Sequence, residues 1–189
     1  MRVLIAEDEA LIRMDLREML EEEGHEVVGE ARDGAEAIEL GRALRPDVVF
    51  MDINMPRVSG IEAAHVLSDE RIAPVVMVTA FSQAAHVEQA AAAGAMAYVV
   101  KPFARADILP AMALAAARFT ESTTLAEEVA DLTERLETRK IVDRAKGILM
   151  AHGKTEPEAF KALQKLAMDR RRTLREIAEA VVLANEAEE

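Results

Sequence analysis

Over the first 118 residues of this 189-residue chain, apolar positions follow two alternating patterns. Short runs rich in Val and Ile fall near 2–6, 26–30, 47–52, 74–79 and 96–100. Between them, apolar residues recur at helical spacing: Leu11/Met14/Leu20, Ala35/Ile38/Leu44, Ile61/Ala64/Leu67, and an Ala-rich segment at 84–93. A short unbroken apolar run reads as a strand buried on both faces. Strict strand–helix alternation with short loops predicts a parallel sheet covered by helices on both sides. A last helix near 105–118 completes that domain.

Beyond it the pattern is helical throughout. The polar stretch FTESTT at 119–124 is the expected domain boundary, although a helix could run through it. Leu125, Val129, Leu132 and Leu136 are spaced four, three and four apart, the seam of a short coiled coil. About two heptads leave two readings open, pairing with a second helix or packing on its own domain. Ile141/Ala145/Ile148/Leu149 form a broader face, and His152-Gly153 reads as a helix end. Thr155 with Glu158, and Thr173 with Glu176, are capping boxes that open two more helices. The prediction is a three-helix unit. Within it, Gly147 costs about 1 kcal/mol relative to Ala. Close approach of another helix, or of RNA, would account for that cost; helix packing is the expected cause.

Charge changes the picture more than bulk composition does. The net charge of −12 argues against indiscriminate nucleic-acid binding by the whole molecule. Its distribution is uneven: −9 over 1–118, −5 over 119–138, +7 over 139–175 and −5 over 176–189. A positive band between two acidic ones is a local footprint for phosphate. Its candidates are Arg139, Lys140, Arg144, Lys146, Lys161, Lys165, Arg170, Arg171, Arg172 and Arg175. For any one of them, a plain solvated side chain is the alternative. No apolar stretch approaches the roughly 20 residues of a membrane span, and no secretory signal is expected. The lack of cysteine excludes disulfides and thiolate metal sites and is compatible with a reducing cytoplasm.

The ends of the predicted strands carry the chemistry. Glu7-Asp8, Asp52 with Asn54, Thr79-Ala80 and Lys101 each follow an apolar run directly. Ligands of open parallel sheets bind outside the carboxyl ends of the strands, so these residues should converge. At about 5 Å and an effective dielectric near 20, each pair of carboxylates repels by roughly 3 kcal/mol. A proton or a cation must offset this, and a hard divalent ion such as Mg²⁺ suits oxygen ligands. One carboxylate beside such an ion can attack phosphorus, with the lysine and the hydroxyl holding the phosphoryl oxygens.

These elements, namely Glu7-Asp8, FMDINMP around Asp52, Gly60, Thr79-Ala80, Tyr98 and Lys101-Pro102-Phe103, resemble the receiver domain of two-component response regulators. The resemblance implies a flavodoxin-like, five-stranded parallel (βα)5 fold over 1–118. It also implies that Asp52 accepts a phosphoryl group from a sensor histidine kinase. Glu7, Asp8, Asp52 and the Asn54 carbonyl would bind Mg²⁺. Lys101 would pair with the phosphoryl group, Thr79 would swing toward it, Ala80 would leave it room, and Tyr98 would rotate as a switch. Glu7 stands where many members carry Asp, a departure that bears on metal geometry.

Arg139, DRAKGILM at 143–150, EAFKAL at 158–163 and LAMDRRRTLREIAEAVV at 166–182 resemble the ANTAR domain, the RNA-binding module of bacterial antiterminators. The expected organisation is a receiver at 1–118, a coiled-coil-like linker at 119–138, and an all-α three-helix ANTAR domain at 139–189 whose first helix begins near 125. The pairing implies a cytoplasmic regulator with no enzymatic output and no membrane contact. It would dimerise on phosphorylation and bind RNA hairpins in leader transcripts, preventing terminator formation. A DNA-binding response regulator acting on promoters is the alternative, and a protein-interaction module is the third.

Overall fold

The protein was analysed as a computed structural model, which describes residues 1–80 and 93–186. The helix expected at 84–93 falls almost wholly outside the described residues. The chain forms two compact units, Met1–Thr124 and Leu125–Glu189.

Unit one is built on five parallel strands: β1 (Arg2–Ala6), β2 (Glu26–Ala31), β3 (Val48–Asp52), β4 (Val75–Thr79) and β5 (Ala97–Val100). Their spatial order is β2-β1-β3-β4-β5. Helices α1 (Ala10–Glu22), α2 (Gly34–Leu44) and α3 (Gly60–Asp69) connect them, and α4 (Arg105–Ala151) follows β5.

The apolar runs are unbroken because alternate residues enter different cores. Val3, Ile5, Val48, Phe50, Val76 and Val78 pack with Leu16 and Leu20 of α1 and with Ile108, Met112 and Ala115 of α4. Leu4, Ala6, Val49, Met51, Val75 and Met77 pack on the opposite face with Ala37 of α2 and Ala63, Ala64 and Leu67 of α3. The central strands β3 and β4 are buried at every residue, and the edge strands β2 and β5 are only partly covered. The sheet is therefore flavodoxin-like, with its order reversing between β1 and β3.

One glycine fixes how β3 ends. An added Cβ at Gly60 would stand 1.8 Å from the carbonyl oxygen of Asp52, so only glycine permits this return of the chain. The Gly60 N–H donates to the Ile53 carbonyl at 3.0 Å, and Ser59 with Glu62 caps α3 just beyond. The loop after Asp52 is pinned at both ends.

The polar segment 119–124 does not interrupt α4. The Thr120 hydroxyl donates to the Ala116 carbonyl and that of Thr124 to the Thr120 carbonyl, both at 2.9 Å. Such back-bonding lets threonines sit inside a helix. The boundary between the units falls at Thr124/Leu125, within the span of α4.

In unit two, α4 ends at Ala151, and Gly153 takes φ +88°. α5 (Glu156–Arg170) and α6 (Leu174–Glu186) follow. Glu158 accepts from the Thr155 N–H and hydroxyl, and Glu176 accepts likewise from Thr173. Val142, Ala145, Leu163, Ile177, Ala178 and Val182 form a small separate core. Gly147 is different from expectation: nothing lies within 4 Å of an added Cβ, so no helix of the described chain explains it. Among the described residues, no helix is long and apolar enough to cross a membrane.

Candidate functional site

At the carboxyl edge of the sheet, β1 delivers Glu7 and Asp8, its neighbour β3 delivers Asp52, and β5 delivers Lys101. One carboxylate oxygen from each of the three acids lies within 4.8 Å of the others. Glu7 and Asp52 are buried, whereas Asp8 is exposed. The offset for their repulsion is already present in the chain. The Lys101 ammonium stands 2.6 Å from Glu7 Oε2 and 2.7 Å from Asp52 Oδ1.

Every oxygen of Asp52 has a partner. While Oδ1 faces the lysine, Oδ2 accepts the Asn54 backbone N–H at 2.7 Å. That bond holds the first residues of the loop against the acid. Burial pushes the Glu7 carboxyl above its ordinary value, and its hydrogen bond to Lys101 opposes the shift. Burial works against the Lys101 ammonium, yet hydrogen bonds to Asp52 and Glu7 outweigh it and raise that pKa above the usual lysine range. Three carboxylates and one ammonium leave two negative charges. A divalent cation with oxygen ligands fits that balance and donor set.

The remaining expected residues are placed as follows. Thr79 is buried at the end of β4, and its carbonyl accepts the Lys101 N–H at 2.7 Å. Ala80 is exposed beside it, and the Lys101–Pro102 peptide bond is cis. Tyr98 is 51% exposed on edge strand β5, so it is no core aromatic. Met51, Met55 and Met77 are packing residues.

Two supports escaped the reading of the sequence. Arg13 is buried on α1 and donates to the Glu7 carbonyl at 2.6 Å and to Glu30 at 3.0 Å. It holds the backbone that presents Glu7. Its signal was available, since Arg13 shares the inner face of α1 with Leu16 and Leu20. Arg57 pairs with buried Asp33, which itself caps α2 by accepting from Ala35 and Glu36, so the loop after Asp52 is tied to the next connection. Nothing in spacing alone announced that pair.

The ten basic candidates of unit two divide in the structure. Arg139 stands 3.9 Å from Asp143, and Lys140 lies 2.8 Å from Glu137. Arg144 pairs with Glu186, Lys146 with Asp143 and Glu156, Arg172 with Glu176, and Arg175 with Glu179. Lys161, Lys165, Arg170 and Arg171 are exposed and have no carboxylate within ion-pair distance among the described residues. The seam residues Leu125, Val129, Leu132 and Leu136 are 54% to 62% exposed, so they do not pack on the described chain.

Comparison with known proteins agrees with this division. Residues 3–113 match the response regulator receiver domain, and residues 130–182 match the ANTAR domain. The transcriptional regulatory protein PdtaR of Mycobacterium tuberculosis is 62% identical over 182 residues, which cover 96% of this chain and 89% of that protein. The chemotaxis protein CheY of Thermotoga maritima is 40% identical over 112 residues, 59% of this chain and 93% of that one. Among solved structures, the receiver domain of the putative response regulator NarL from Mycobacterium tuberculosis superposes with a TM-score of 0.59 at 34% identity. It covers 61% of this chain and 94% of its own.

Proposed function

This chain belongs to the response regulators that join a receiver to an ANTAR domain, a transcriptional-regulator architecture without an enzymatic output domain, and we propose that phosphorylation of Asp52 controls its binding to RNA hairpins. The observation that carries the input half is the Lys101 ammonium, held within 2.7 Å of both Asp52 and Glu7 at the ends of their strands.

The chemistry follows from that arrangement. An oxygen of Asp52 attacks the phosphorus of a phosphohistidine on a sensor kinase; the P–O bond forms as the P–N bond breaks, and the imidazole leaves with its proton. Glu7, Asp8, Asp52 and the Asn54 carbonyl would hold Mg²⁺, which neutralises phosphoryl charge when bound. A solved CheX–CheY complex from Borrelia burgdorferi contains BeF3 and Mg²⁺, and its receiver matches this one with a TM-score of 0.54 at 29% identity. Lys101 exchanges a carboxylate oxygen for a phosphoryl oxygen, and Thr79 donates its hydroxyl to another. Ala80, with a single methyl, leaves space for the group, and exposed Tyr98 reports the change at the outer strand. Moving such a switch from 1:99 to 99:1 takes about 5.5 kcal/mol of differential stabilisation.

The output half rests on the ANTAR match and on the positive band within it. Cationic side chains would contact hairpin phosphates in a leader transcript and so prevent a terminator from forming. The exposed seam supports a homodimer through α4, favoured by phosphorylation. The protein would act in the cytoplasm, where kinase and nascent transcripts meet.

Acetyl phosphate with Mg²⁺ should add one phosphoryl mass at Asp52 and tighten hairpin binding in the full chain. An unchanged mass removes the input half. Duplex DNA competing as well as hairpin RNA at matched salt removes the output half and favours promoter binding.

A further inference from the structure

In unit two, the 131–146 stretch of α4, Phe160 of α5 and Leu174 of α6 line an open groove of about 470 Å3. Its apolar wall is Val142, Leu174 and Phe160. Phe160 is 38% exposed there, although its neighbours Ala159 and Leu163 are fully covered. The polar wall belongs to α4. Arg135, Arg139 and Lys146 supply three positive charges, and Asp131, Glu134 and Asp143 supply three negative ones. These charges neutralise one another locally: Arg135 lies 2.9 Å from Asp131, Lys146 2.8 Å from Asp143, and Arg139 3.9 Å from Asp143.

That balance selects the kind of ligand. A phosphate entering the groove meets carboxylates as often as cations, so no net attraction draws it in. A flat, uncharged ring with apolar faces and both donor and acceptor edges meets complementary groups on every side. An exposed aromatic ring beside guanidinium groups is the usual platform for an unstacked base.

We infer that this groove receives one unpaired base of the bound RNA, stacked on Phe160. Arg139, whose ion pair is the longest of the three, is the donor most easily turned toward the base edge. The assignment depends on the RNA-binding reading above and adds to it a pocket and a ligand class. At about 100° per residue, groove positions 135 and 142 lie roughly a quarter-turn from the Leu125–Leu136 stripe, while Arg139 continues its four-three spacing past Leu136. The groove thus borders the end of the seam.

The test uses the full chain treated with acetyl phosphate and Mg²⁺, and the tightest stem–loop RNA selected from a pool with a fixed stem and a randomised loop. Each loop base is replaced in turn by an abasic site. One replacement should weaken wild-type binding about tenfold, and Phe160→Leu should weaken binding of the intact RNA by a similar factor. The two losses together should not exceed either alone, and Phe160→Tyr should bind nearly as wild type. Additive losses, or full affinity in Phe160→Leu, overturn the groove and leave RNA binding standing. A wild-type chain that retains no stem–loop overturns both. A second measurement needs no variant to fold. With 5-bromouridine at the sensitive loop position, photocrosslinks should fall on the peptides carrying Phe160 or Arg139, and crosslinks confined to other peptides reject the assignment.

Discussion

In the receiver unit a largely covered lysine meets two buried carboxylates, whereas in the helical unit the carboxylates paired with lysine or arginine are all 43% to 65% exposed. The difference decides what each charge can do. Lys101 has traded its hydration for two partners, so its position is fixed, and removing it would leave two buried carboxylates uncompensated. An exposed pair such as Arg172–Glu176 or Arg175–Glu179 is screened by solvent, contributes little to stability and is easily exchanged for a new partner. Buried charge makes a site that chemistry can use; exposed charge makes a surface whose partners are set by what arrives.

The sharpest way to break this contrast is Asp52→Asn. It should abolish the phosphoryl mass gain entirely while the protein stays folded, as read by intact mass and circular dichroism. A retained gain would place the acceptor elsewhere. Next in size is Gly60→Ala, whose methyl would collide with the Asp52 carbonyl. A loss of about 3 kcal/mol in urea unfolding is expected, since backbone cannot yield as a side chain can. A loss below 1 kcal/mol would mean that the turn after Asp52 is not pinned.

The helical unit is probed through salt. Replacing Lys161, Lys165, Arg170 and Arg171 by Ala should flatten the dependence of hairpin affinity on salt by about one unit of slope per lost phosphate contact. The same exchange at Arg139, Lys140, Arg172 and Arg175, which already face carboxylates, should flatten it less. Equal effects would erase the distinction between free and paired cations.

The smallest effect concerns Glu7. Because burial raises its pKa, there is a pH window above the ordinary carboxylate value in which the folded chain keeps a proton that the unfolded chain has lost. The stability this group contributes is complete below that window and declines as pH rises through the folded value. Urea midpoints of wild type and Glu7→Gln should therefore converge as the solution is acidified. A difference that widens on acidification contradicts the burial account.

How much of this could be read from the chain varies with the physics involved. Strand positions were clear because burial on both faces leaves no polar residue before Asp52 in Val48–Asp52 or before Thr79 in Val75–Thr79. The convergence of Glu7, Asp52 and Lys101 was equally clear, since parallel strands bring their carboxyl ends to one edge. Spacing could not reveal that Lys101 bridges two acids, because that depends on reach in three dimensions. Tyr98 misleads as an aromatic in an apolar run, for an edge strand leaves one flank open. The threonines of 119–124 suggested a break, yet their hydroxyls can satisfy helical carbonyls as well as a loop can. In the helical unit the capping boxes were legible because the two partners of each stand only three positions apart. Which cations are free was not, because pairs such as Arg144–Glu186 join distant positions.

The strand order carries a consequence for how the chain acquires its shape. β1 lies between β2 and β3, and Val3 sits opposite Val48, so the first strand made must wait for a stretch of more than forty residues before its second neighbour exists. Closing that length precedes any reward from the β1–β3 pairing, which slows assembly relative to units whose contacts are local. The two capped helices of the other unit face no such delay. One polypeptide thus couples a slowly nucleating half to a rapidly nucleating one.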